Sequence, residues 1–294
     1  MTIFRNGVWL FLLIAFAFSG AIGGVIHATG AMERQLLFTG LAFIYMCGPA
    51  IAALVCAARF DRGRMRQSLG VAKPFNRALV WAWLIPVSLI LGALAIDLVL
   101  SPAMFDPGAN YRALLESQGQ DLTGSPVDPV SLYWFGVASG LTLGAFLNMF
   151  LTLSEELGWR GWLWDRWRGL GFWRCNLLIG LFWGLWHAPL IAQGYNYPEL
   201  PVWGPVAMTA LMLVISPLIG WVREAGGTVF HAGLFHGTLN AGAGLGLLAL
   251  TGLEFPFKGT LGIGGFVAGL ALCGVVFAIR RRAANTAPET GQAL

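Results

Sequence analysis

The chain has 294 residues, of which 57% are hydrophobic and 11% are charged, and its mean hydropathy is +0.70. Because a soluble domain has about 25% charged residues, this composition excludes a soluble globular protein and predicts one that crosses a membrane several times. The formal net charge of +4 does not indicate a nucleic-acid partner, since the basic residues cluster between apolar segments. The four cysteines lie in or beside apolar runs without CxxC spacing, which predicts small buried residues and neither disulfides nor a metal site.

Eight apolar runs in the sequence have the length of a membrane-spanning helix. They are Val8–His27, Leu36–Ala58, Leu79–Leu100, Leu132–Trp162, Cys175–Ala192, Val202–Trp221, Thr228–Leu250 and Leu261–Ile279. The first run is long for the apolar region of a signal peptide and lacks a convincing cleavage site, so we expect it to be a span. The sequence therefore predicts an all-α polytopic integral membrane protein with eight transmembrane helices.

The same pattern divides the chain into three parts. Residues 1–34 are predicted to form an N-terminal transmembrane helix, and residues 35–282 a transmembrane helical bundle whose core, residues 131–250, carries the polar motifs. Residues 283–294 are short and polar, so we expect a disordered cytoplasmic tail. The acidic loop Ser101–Val130 is expected to be partly ordered against the membrane surface.

The lysines and arginines outside the spans are distributed unequally between alternate loops. With Arg160 set aside, fourteen lie before the first span, in every second loop or after the last span, whereas three (Arg34, Arg112 and Lys258) lie in the other loops. An excess of Lys and Arg marks the cytoplasmic side of a membrane protein. We therefore predict that both termini are cytoplasmic, and the composition suits a bacterial inner membrane.

Three charged residues interrupt the fourth apolar run, at Glu155, Glu156 and Arg160. A charge at the centre of a bilayer costs about 2.5–3.5 kcal/mol even on the lenient insertion scales, so this cluster indicates a function. On a helix, Glu156 and Arg160 are four residues apart and can pair, whereas Glu155 points about 100° away from them. The spacing predicts that Arg160 neutralises Glu156 and that Glu155 remains free for chemistry.

Three further polar side chains lie within later spans, at His187, His236 and Asn240. His236 and Asn240 are four residues apart and share one helical face. Counted from the nearest predicted cytoplasmic arginine, Glu155 is 11 residues into the membrane, and His187 and His236 are each 13 residues in. At 1.5 Å per residue all three lie roughly 16–20 Å deep, near the middle of the bilayer. Ionisable groups from three spans at one depth indicate a buried, hydrated site.

These motifs resemble those of the CPBP family of intramembrane proteases, which includes the type II CAAX prenyl endopeptidases and the Abi bacteriocin-immunity proteins. The matching residues are Glu155, Glu156 and Arg160 for EExxxR, His187 for FxxxH, and His236 and Asn240 for HxxxN. Trp183 stands where the family usually has the phenylalanine of FxxxH. The segments Met46–Ala50 and Gln193–Pro198 also look like bacterial members. The resemblance covers about residues 40–250, and it implies a similar eight-helix bundle in which the EExxxR ion pair braces the site.

Peptide hydrolysis needs an activated water, and a buried carboxylate or imidazole can take its proton. Glu155, which has no predicted partner, is the expected general base, and His187 is expected to help hold the water. His236 and Asn240, one helical turn apart, can donate hydrogen bonds to the developing oxyanion. The resemblance implies the same assignment. The sequence therefore predicts a glutamate-dependent intramembrane endopeptidase.

Other mechanisms and functions stay open on the sequence alone. No cofactor is expected, but Glu155, His187 and His236 could instead bind Zn²⁺ and generate hydroxide, although the sequence has no HExxH. A proton-coupled transporter could use the same residues as a relay, but it would usually show an internal repeat, which we do not find. A catalytically silent binding or immunity protein could share the scaffold.

The predicted partners are the lipid bilayer and a membrane-associated peptide or protein substrate, with no nucleic acid. The resemblance implies two kinds of substrate. Prenylated CAAX proteins are the family's eukaryotic substrates, and a bacterial member could process a leader peptide or another membrane-associated peptide.

Overall fold

The structure is a computed structural model, and it describes residues 7–101, 104–117, 119–120, 128–253 and 255–286. The helices are α1 (Val8–Thr29), α2 (Gln35–Met46), α3 (Gly48–Phe60), α4 (Met65–Ser68), α5 (Ala78–Leu100), α6 (Pro107–Ser117), α7 (Pro129–Ser139), α8 (Ala145–Glu156), α9 (Trp164–Trp167), α10 (Phe172–Trp186), α11 (Ala188–Ile191), α12 (Gly204–Gly226), α13 (Val229–Leu248) and α14 (Ile263–Thr286). Two short antiparallel strands, β1 (Met104–Phe105) and β2 (Leu250–Thr251), pair with each other. The predicted all-α fold of a polytopic membrane protein is confirmed.

Helical segments occupy all eight predicted spans, and among the described residues six are long and apolar enough to cross a membrane. These six are Val8–Thr29, Gln35–Phe60, Ala78–Leu100, Pro129–Leu170, Gly204–Gly226 and Ile263–Thr286. The other two segments contain α10, which has only 15 residues, and α13, whose histidines and asparagine lower its hydropathy. Because α13 packs against α5, α8 and α12, other helices cover both of its histidines, whereas Asn240 is exposed. The count of eight spans stays a prediction.

The fourth span departs from a regular α-helix at two places. A π-helical turn, Gly140–Gly144, joins α7 to α8, and a second one, Leu157–Leu163, follows α8 directly after Glu156. Short 3-10 turns also occur at Ala31–Glu33 and Arg168–Leu170. A π-helical turn inside an α-helix is frequent at functional sites, and the second one here contains the arginine of the EExxxR motif.

The second and fifth predicted spans are each divided beside a proline. A break of one residue separates α2 from α3, which has Pro49 in its first turn. His187 separates α10 from α11, which has Pro189 in its first turn. Proline has no N–H to donate, and it is favoured in the first turn of a helix, where that donor has no intrahelical partner. His187 is therefore located at a helix end inside the bundle.

Glycines on α13 bring this helix into close contact with α8. A Cβ atom added to Gly237 would lie 2.8 Å from the carbonyl oxygen of Ala145. Four residues earlier, the carbonyl of Gly233 accepts a hydrogen bond from the Thr152 hydroxyl at 3.0 Å. Small residues at this spacing let transmembrane helices approach each other closely. The contact places His236 beside the end of α8, where the two glutamates lie.

A second glycine pair brings α10 against α12. A Cβ atom added to Gly184 would lie 2.5 Å from the Cα of Thr209, and one added to Gly180 would lie 2.6 Å from the carbonyl oxygen of Met212. No larger side chain fits at either position without moving a backbone. This packing holds the end of α10, and with it His187, in place.

The two predicted polar segments are only partly described. Helix α14 continues to Thr286, so the first four residues of the predicted tail are helical, consistent with the helix-forming arginines and alanines of this stretch. Residues 287–294 lie outside the described residues. The acidic loop contains β1 and α6, and residues 102–103, 118 and 121–127 are also outside the described residues. The three domain boundaries stay a prediction.

A buried cluster of charges joins the end of α3 to α9. Asp61 accepts hydrogen bonds from Arg64 Nε at 3.2 Å and Trp162 Nε1 at 3.0 Å, and it also accepts one from Arg166. Burial acts to raise the pKa of the Asp61 carboxyl, but the hydrogen bond and charge of Arg166, with help from Arg64, hold that pKa below its usual value. Asp61 is therefore ionised at neutral pH and stabilises this end of the bundle.

Because the pKa of Asp61 is lower in the folded state than its unfolded value of about 3.9, its stabilisation is complete above that pH. It is lost as the pH falls through the folded pKa. Asp61→Asn should reduce the free energy of unfolding at pH 7 by about 1–3 kcal/mol and should weaken the loss of stability on acidification. Thermal unfolding of the purified protein at pH 7 and below pH ~4 measures both effects. Glu33→Gln, at an exposed position, is the control; stability of Asp61→Asn like that of the wild type at neutral pH would contradict the prediction.

Candidate active site

Four of the six predicted site residues line one cavity of about 460 Å³. They are Glu155, His187, His236 and Asn240. They come from α8, the junction between α10 and α11, and α13. The other two predicted residues, Glu156 and Arg160, are fully buried, and Glu156 contacts the cavity wall through His236. The structure thus brings together the ionisable groups that the sequence places at one depth.

Glu156 is the centre of a buried hydrogen-bonded group. Its Oε1 accepts from Arg160 Nη1 at 3.1 Å and from His236 Nδ1 at 2.9 Å. The Arg160 guanidinium also lies over the ring of Trp183, 4.3 Å from its centroid, in a favourable cation–π position. The predicted pairing of Glu156 with Arg160 is confirmed, and it forms across a π-helical turn, not across a regular α-helical one.

Because Nδ1 of His236 contacts Glu156, only Nε2 of this ring is free to bind a group in the cavity. A carboxylate paired with arginine is ionised and only accepts hydrogen bonds, so Nδ1 of His236 carries the proton. Nε2 is therefore an acceptor in the neutral ring and a donor only when the ring is protonated. The expected donation from His236 to an oxyanion thus requires the charged form of this ring. Asn240 differs, because its amide is exposed and has no hydrogen-bond partner among the described residues.

His187 follows the last residue of α10, and its ring caps the end of that helix. Its backbone N–H donates to the carbonyl of Gly184 at 3.1 Å, and its Nδ1 lies 2.7 Å from the carbonyl oxygen of Trp183. The last carbonyls of a helix lack intrahelical partners, and a carbonyl only accepts, so Nδ1 of His187 carries the proton. Nε2 then presents a lone pair. The ring is held in an orientation that can accept a hydrogen bond from a water molecule.

Glu155 has no ion-pair partner among the described residues, as the sequence predicts, but a hydrogen bond fixes the position of its carboxylate. It is 3% exposed, and its Oε2 accepts a hydrogen bond from the indole Nε1 of Trp183 at 2.8 Å. A phenylalanine at position 183 has no N–H and could not make this contact. The departure of this sequence from the FxxxH pattern therefore adds a hydrogen bond to the candidate base.

Trp183→Phe should remove this hydrogen bond and lower the stability of the protein. Trp159→Phe is a matched control, since Trp159 is fully buried and its indole N–H has no acceptor among the described residues. Both changes remove the same ring atoms, so the difference between them reports the contacts that only Trp183 makes, which are the hydrogen bond to Glu155 and the cation–π contact with Arg160. A bond to a charged group contributes about 1.5–3 kcal/mol, and we expect Trp183→Phe to be the less stable variant by that amount. Equal loss of stability on thermal unfolding would contradict this role.

Sequence reasoning missed several polar and aromatic residues of the cavity wall. They are Tyr45, Asn148, Trp186, Tyr195 and Asn196. Asn148 lies seven residues, or two helical turns, before Glu155, so its place on the same face was a detectable signal. Its Nδ2 donates to the Gly144 carbonyl at 2.9 Å. Tyr195 and Asn196 belong to the loop that looked like bacterial family members, but no pattern of charge or hydropathy indicated that they reach the site.

Within the described part of the chain, no three His, Cys, Asp or Glu side chains are grouped as metal ligands. Glu155, His187 and His236 share a cavity wall without forming such a group. The zinc alternative and the metal-free mechanism therefore both stay predictions, and no step below passes through a metal.

Comparison with known proteins supports the reading of the motifs. Residues 135–242 match the family model described as type II CAAX prenyl endopeptidase Rce1-like, a range that contains all six predicted site residues. The chain is also 30% identical over 101 residues to the protein named CAAX prenyl protease 2 from Methanococcus maripaludis, which covers 32% of this chain and 37% of that relative. The matched part is thus just over a third of the length of this curated relative. The two matches therefore agree with the motifs, since residues 135–242 are similar to the type II CAAX prenyl endopeptidases and a stretch of 101 residues is similar to a CAAX prenyl protease.

Proposed function

We propose that this protein is an intramembrane endopeptidase that hydrolyses a peptide bond of a membrane-associated substrate, with Glu155 as the general base. The observation that carries the proposal is the wall of the cavity of about 460 Å³. It contains a carboxylate without a cationic partner among the described residues, at Glu155, and a histidine with an open Nε2, at His187. Both groups can bind one water molecule, and they lie among mainly apolar residues.

In the proposed reaction a water molecule lies between Glu155 and His187. Glu155 takes a proton from this water as its oxygen adds to the carbonyl carbon of the scissile peptide bond. The carbonyl oxygen becomes an oxyanion, which is stabilised by the side-chain N–H of Asn240 and, when its ring is protonated, by Nε2–H of His236. Glu155 then gives the proton to the amine nitrogen as the C–N bond breaks, which regenerates the carboxylate.

Glu156 and Arg160 act in this proposal as positioning residues. Neither lines the cavity, and both are fully buried. Glu156 sets the tautomer of His236, and Arg160 neutralises Glu156. The pair keeps the His236 ring next to the cavity without touching the substrate.

The cavity wall favours an apolar substrate. Leu151, Leu190, Leu247 and Leu261 line it together with aromatic residues, and apolar walls with a few polar groups are typical of sites for small or lipid-like ligands. We infer that the substrate is a peptide carrying an isoprenoid group, as in a CAAX-type sequence, or an apolar leader peptide presented from the bilayer.

The function is tested with purified protein reconstituted in vesicles. A farnesylated CAAX-type peptide, the same peptide without the lipid and an apolar leader peptide are incubated with it, and the products are identified by mass spectrometry. Cleavage at one peptide bond is expected for at least one substrate. Ion-dependent solute uptake by the same vesicles without any cleavage would instead indicate a transporter, and peptide binding without cleavage would indicate a silent binding protein.

The proposal includes hydrolysis without a metal. Metal analysis of active protein should find no stoichiometric zinc, and a strong chelator should not inactivate it. Zinc whose content falls together with activity in His187→Ala would overturn the metal-free mechanism and leave the location of the site unchanged.

We also propose that both termini are cytoplasmic, in a bacterial inner membrane. Arginines from three of the predicted cytoplasmic segments, Arg66, Arg168 and Arg223, line one groove, as expected if these segments lie on one side. On the predicted opposite side, Lys258 and Glu199 pair at 2.7 Å. A reporter that is active only in the cytoplasm should be active when fused after Ala283, and activity of a periplasmic reporter there would contradict this topology.

A further inference from the structure

A second large cavity, separate from the candidate active site, opens between α4, α9 and the end of α12. Its volume is about 1010 Å³, and five arginines and two carboxylates line it. The residues that matter here are Arg66, Trp164, Arg168 and Arg223, and we call this surface the basic groove. It lies where the predicted cytoplasmic ends of the spans meet, at the level expected for the polar headgroups of the membrane.

Arg223 is the most informative residue of the basic groove. It is 5% exposed and forms no ion pair with any described residue. Its Nε donates to the carbonyl of Arg160 at 2.8 Å, and its guanidinium lies over the ring of Trp164 at 4.5 Å. These contacts fix the plane of the guanidinium, while its two terminal nitrogens have no acceptor among the described residues. A buried arginine in this state requires an anion or water as partner.

The backbone of Gly70 lies next to the guanidinium of Arg223. A Cβ atom added to Gly70 would lie 2.5 Å from Arg223 Nη2, and the residue has a φ of +68°, which favours glycine. The backbone of Gly70 therefore lies close to the guanidinium, and a larger side chain at this position would require Arg223 to move.

The remaining charges leave the basic groove positive. Arg64 and Arg166 are neutralised by Asp61 and Asp165, and Glu224, the second carboxylate of the groove, pairs with Arg280. Two further arginines face the opening. Arg66 is exposed and has no partner among the described residues, and the 58% exposed side chain of Arg168 shares Asp165 at 3.6 Å. With Arg223, three guanidinium groups are available to an incoming anion.

The chemistry of these groups favours a phosphate. The planar fork of an arginine matches two oxygens of a phosphate, and several arginines commonly converge on one phosphate group. Phe75, in the loop that follows Gly70, is 87% exposed, which is costly in water and favourable at a membrane interface. A ligand that brings a phosphate to the arginines and acyl chains to this aromatic ring is a phospholipid.

We propose that the basic groove binds the phosphate headgroup of an anionic phospholipid. The lipid would supply the missing partner of Arg223, and through the Arg160 carbonyl its binding would stabilise the helix that carries the EExxxR motif. Basic pockets between transmembrane helices on the cytoplasmic side are suited to such headgroups. The site does not depend on the proposed peptidase activity.

The test uses the full-length protein in a neutral detergent, with phosphatidylglycerol, phosphatidylcholine or inorganic phosphate added. Native mass spectrometry counts retained lipids, and thermal unfolding reports stabilisation. We expect retention of phosphatidylglycerol and a rise in Tm, with a much smaller effect of phosphatidylcholine. Arg66→Gln together with Arg168→Gln should weaken phosphatidylglycerol binding by about fivefold per arginine, and Arg223→Gln should weaken it further.

The matched control is Arg59→Gln with Arg62→Gln, which removes two exposed arginines that do not line the groove. This variant should bind phosphatidylglycerol like the wild type, and an equal loss would mean non-specific surface charge and would overturn the proposal. Equal binding of phosphatidylcholine would also overturn it. Stabilisation by inorganic phosphate as strong as that by phosphatidylglycerol would identify a free phosphate and not a lipid. If Arg223→Gln does not fold, the two exposed arginines still decide the outcome.

Discussion

Glu155→Gln should abolish peptide cleavage while the protein stays folded and still binds substrate. Glutamine keeps the shape of the side chain, and its amide oxygen can still accept the hydrogen bond from Trp183. It cannot take a proton from water, so the rate should fall by at least the roughly 10²–10⁴-fold that general-base catalysis contributes. The cleavage rate in reconstituted vesicles, with peptide binding measured in parallel, gives the two quantities separately.

Ser154→Ala is the control for this experiment. Ser154 is the neighbour of Glu155, and its hydroxyl donates to the Leu151 carbonyl one turn earlier and does not line the cavity. This variant should cleave at a rate close to that of the wild type. Cleavage by folded Glu155→Gln at more than about a tenth of the wild-type rate would contradict the assignment of Glu155 as the general base. Peptides that co-purify with the inactive variant would identify the substrate.

Arg160→Ala should be among the most destabilising single changes in the protein. Arg160 and Glu156 are both fully buried and 3.1 Å apart, so removal of the guanidinium leaves an uncompensated carboxylate inside the bundle. Breaking a buried pair in this way costs about 3–5 kcal/mol. The loss should appear as a large drop in the temperature of unfolding in detergent, and Arg62→Ala, at an exposed position, should change it little.

The double variant Glu156→Gln with Arg160→Met separates the ion pair from general packing. A neutral glutamine no longer needs the guanidinium, and its amide oxygen can still accept from His236 Nδ1. We expect it to recover part of the stability lost in Arg160→Ala. Unfolding temperatures that do not differ between the single and the double variant would show that the two side chains are energetically independent.

Much of the structure of this protein could be predicted from its sequence, because a membrane restricts where apolar and charged residues can lie along the chain. An apolar run of spanning length must form a helix in lipid, so hydropathy alone indicates the positions of the helices. A charged or ionisable residue in such a run costs free energy and therefore indicates a function. For this reason the sequence alone identifies Glu155, His187 and His236 as candidate site residues. Helical spacing alone predicts the pairing of Glu156 with Arg160, which the structure confirms.

The orientation of the site residues depends on contacts between segments far apart in the chain, and the spacing of residues contains no information about them. Whether Trp183 reaches Glu155, and which nitrogen of His236 faces Glu156, depends on the distance between the helices that carry them. Glycines such as Gly237 set that distance by letting backbones touch, and a π-helical turn rotates Arg160 relative to a regular helix. A hydrogen bond is made or lost within a few tenths of an ångström. Its partners are therefore known only once the helices are packed.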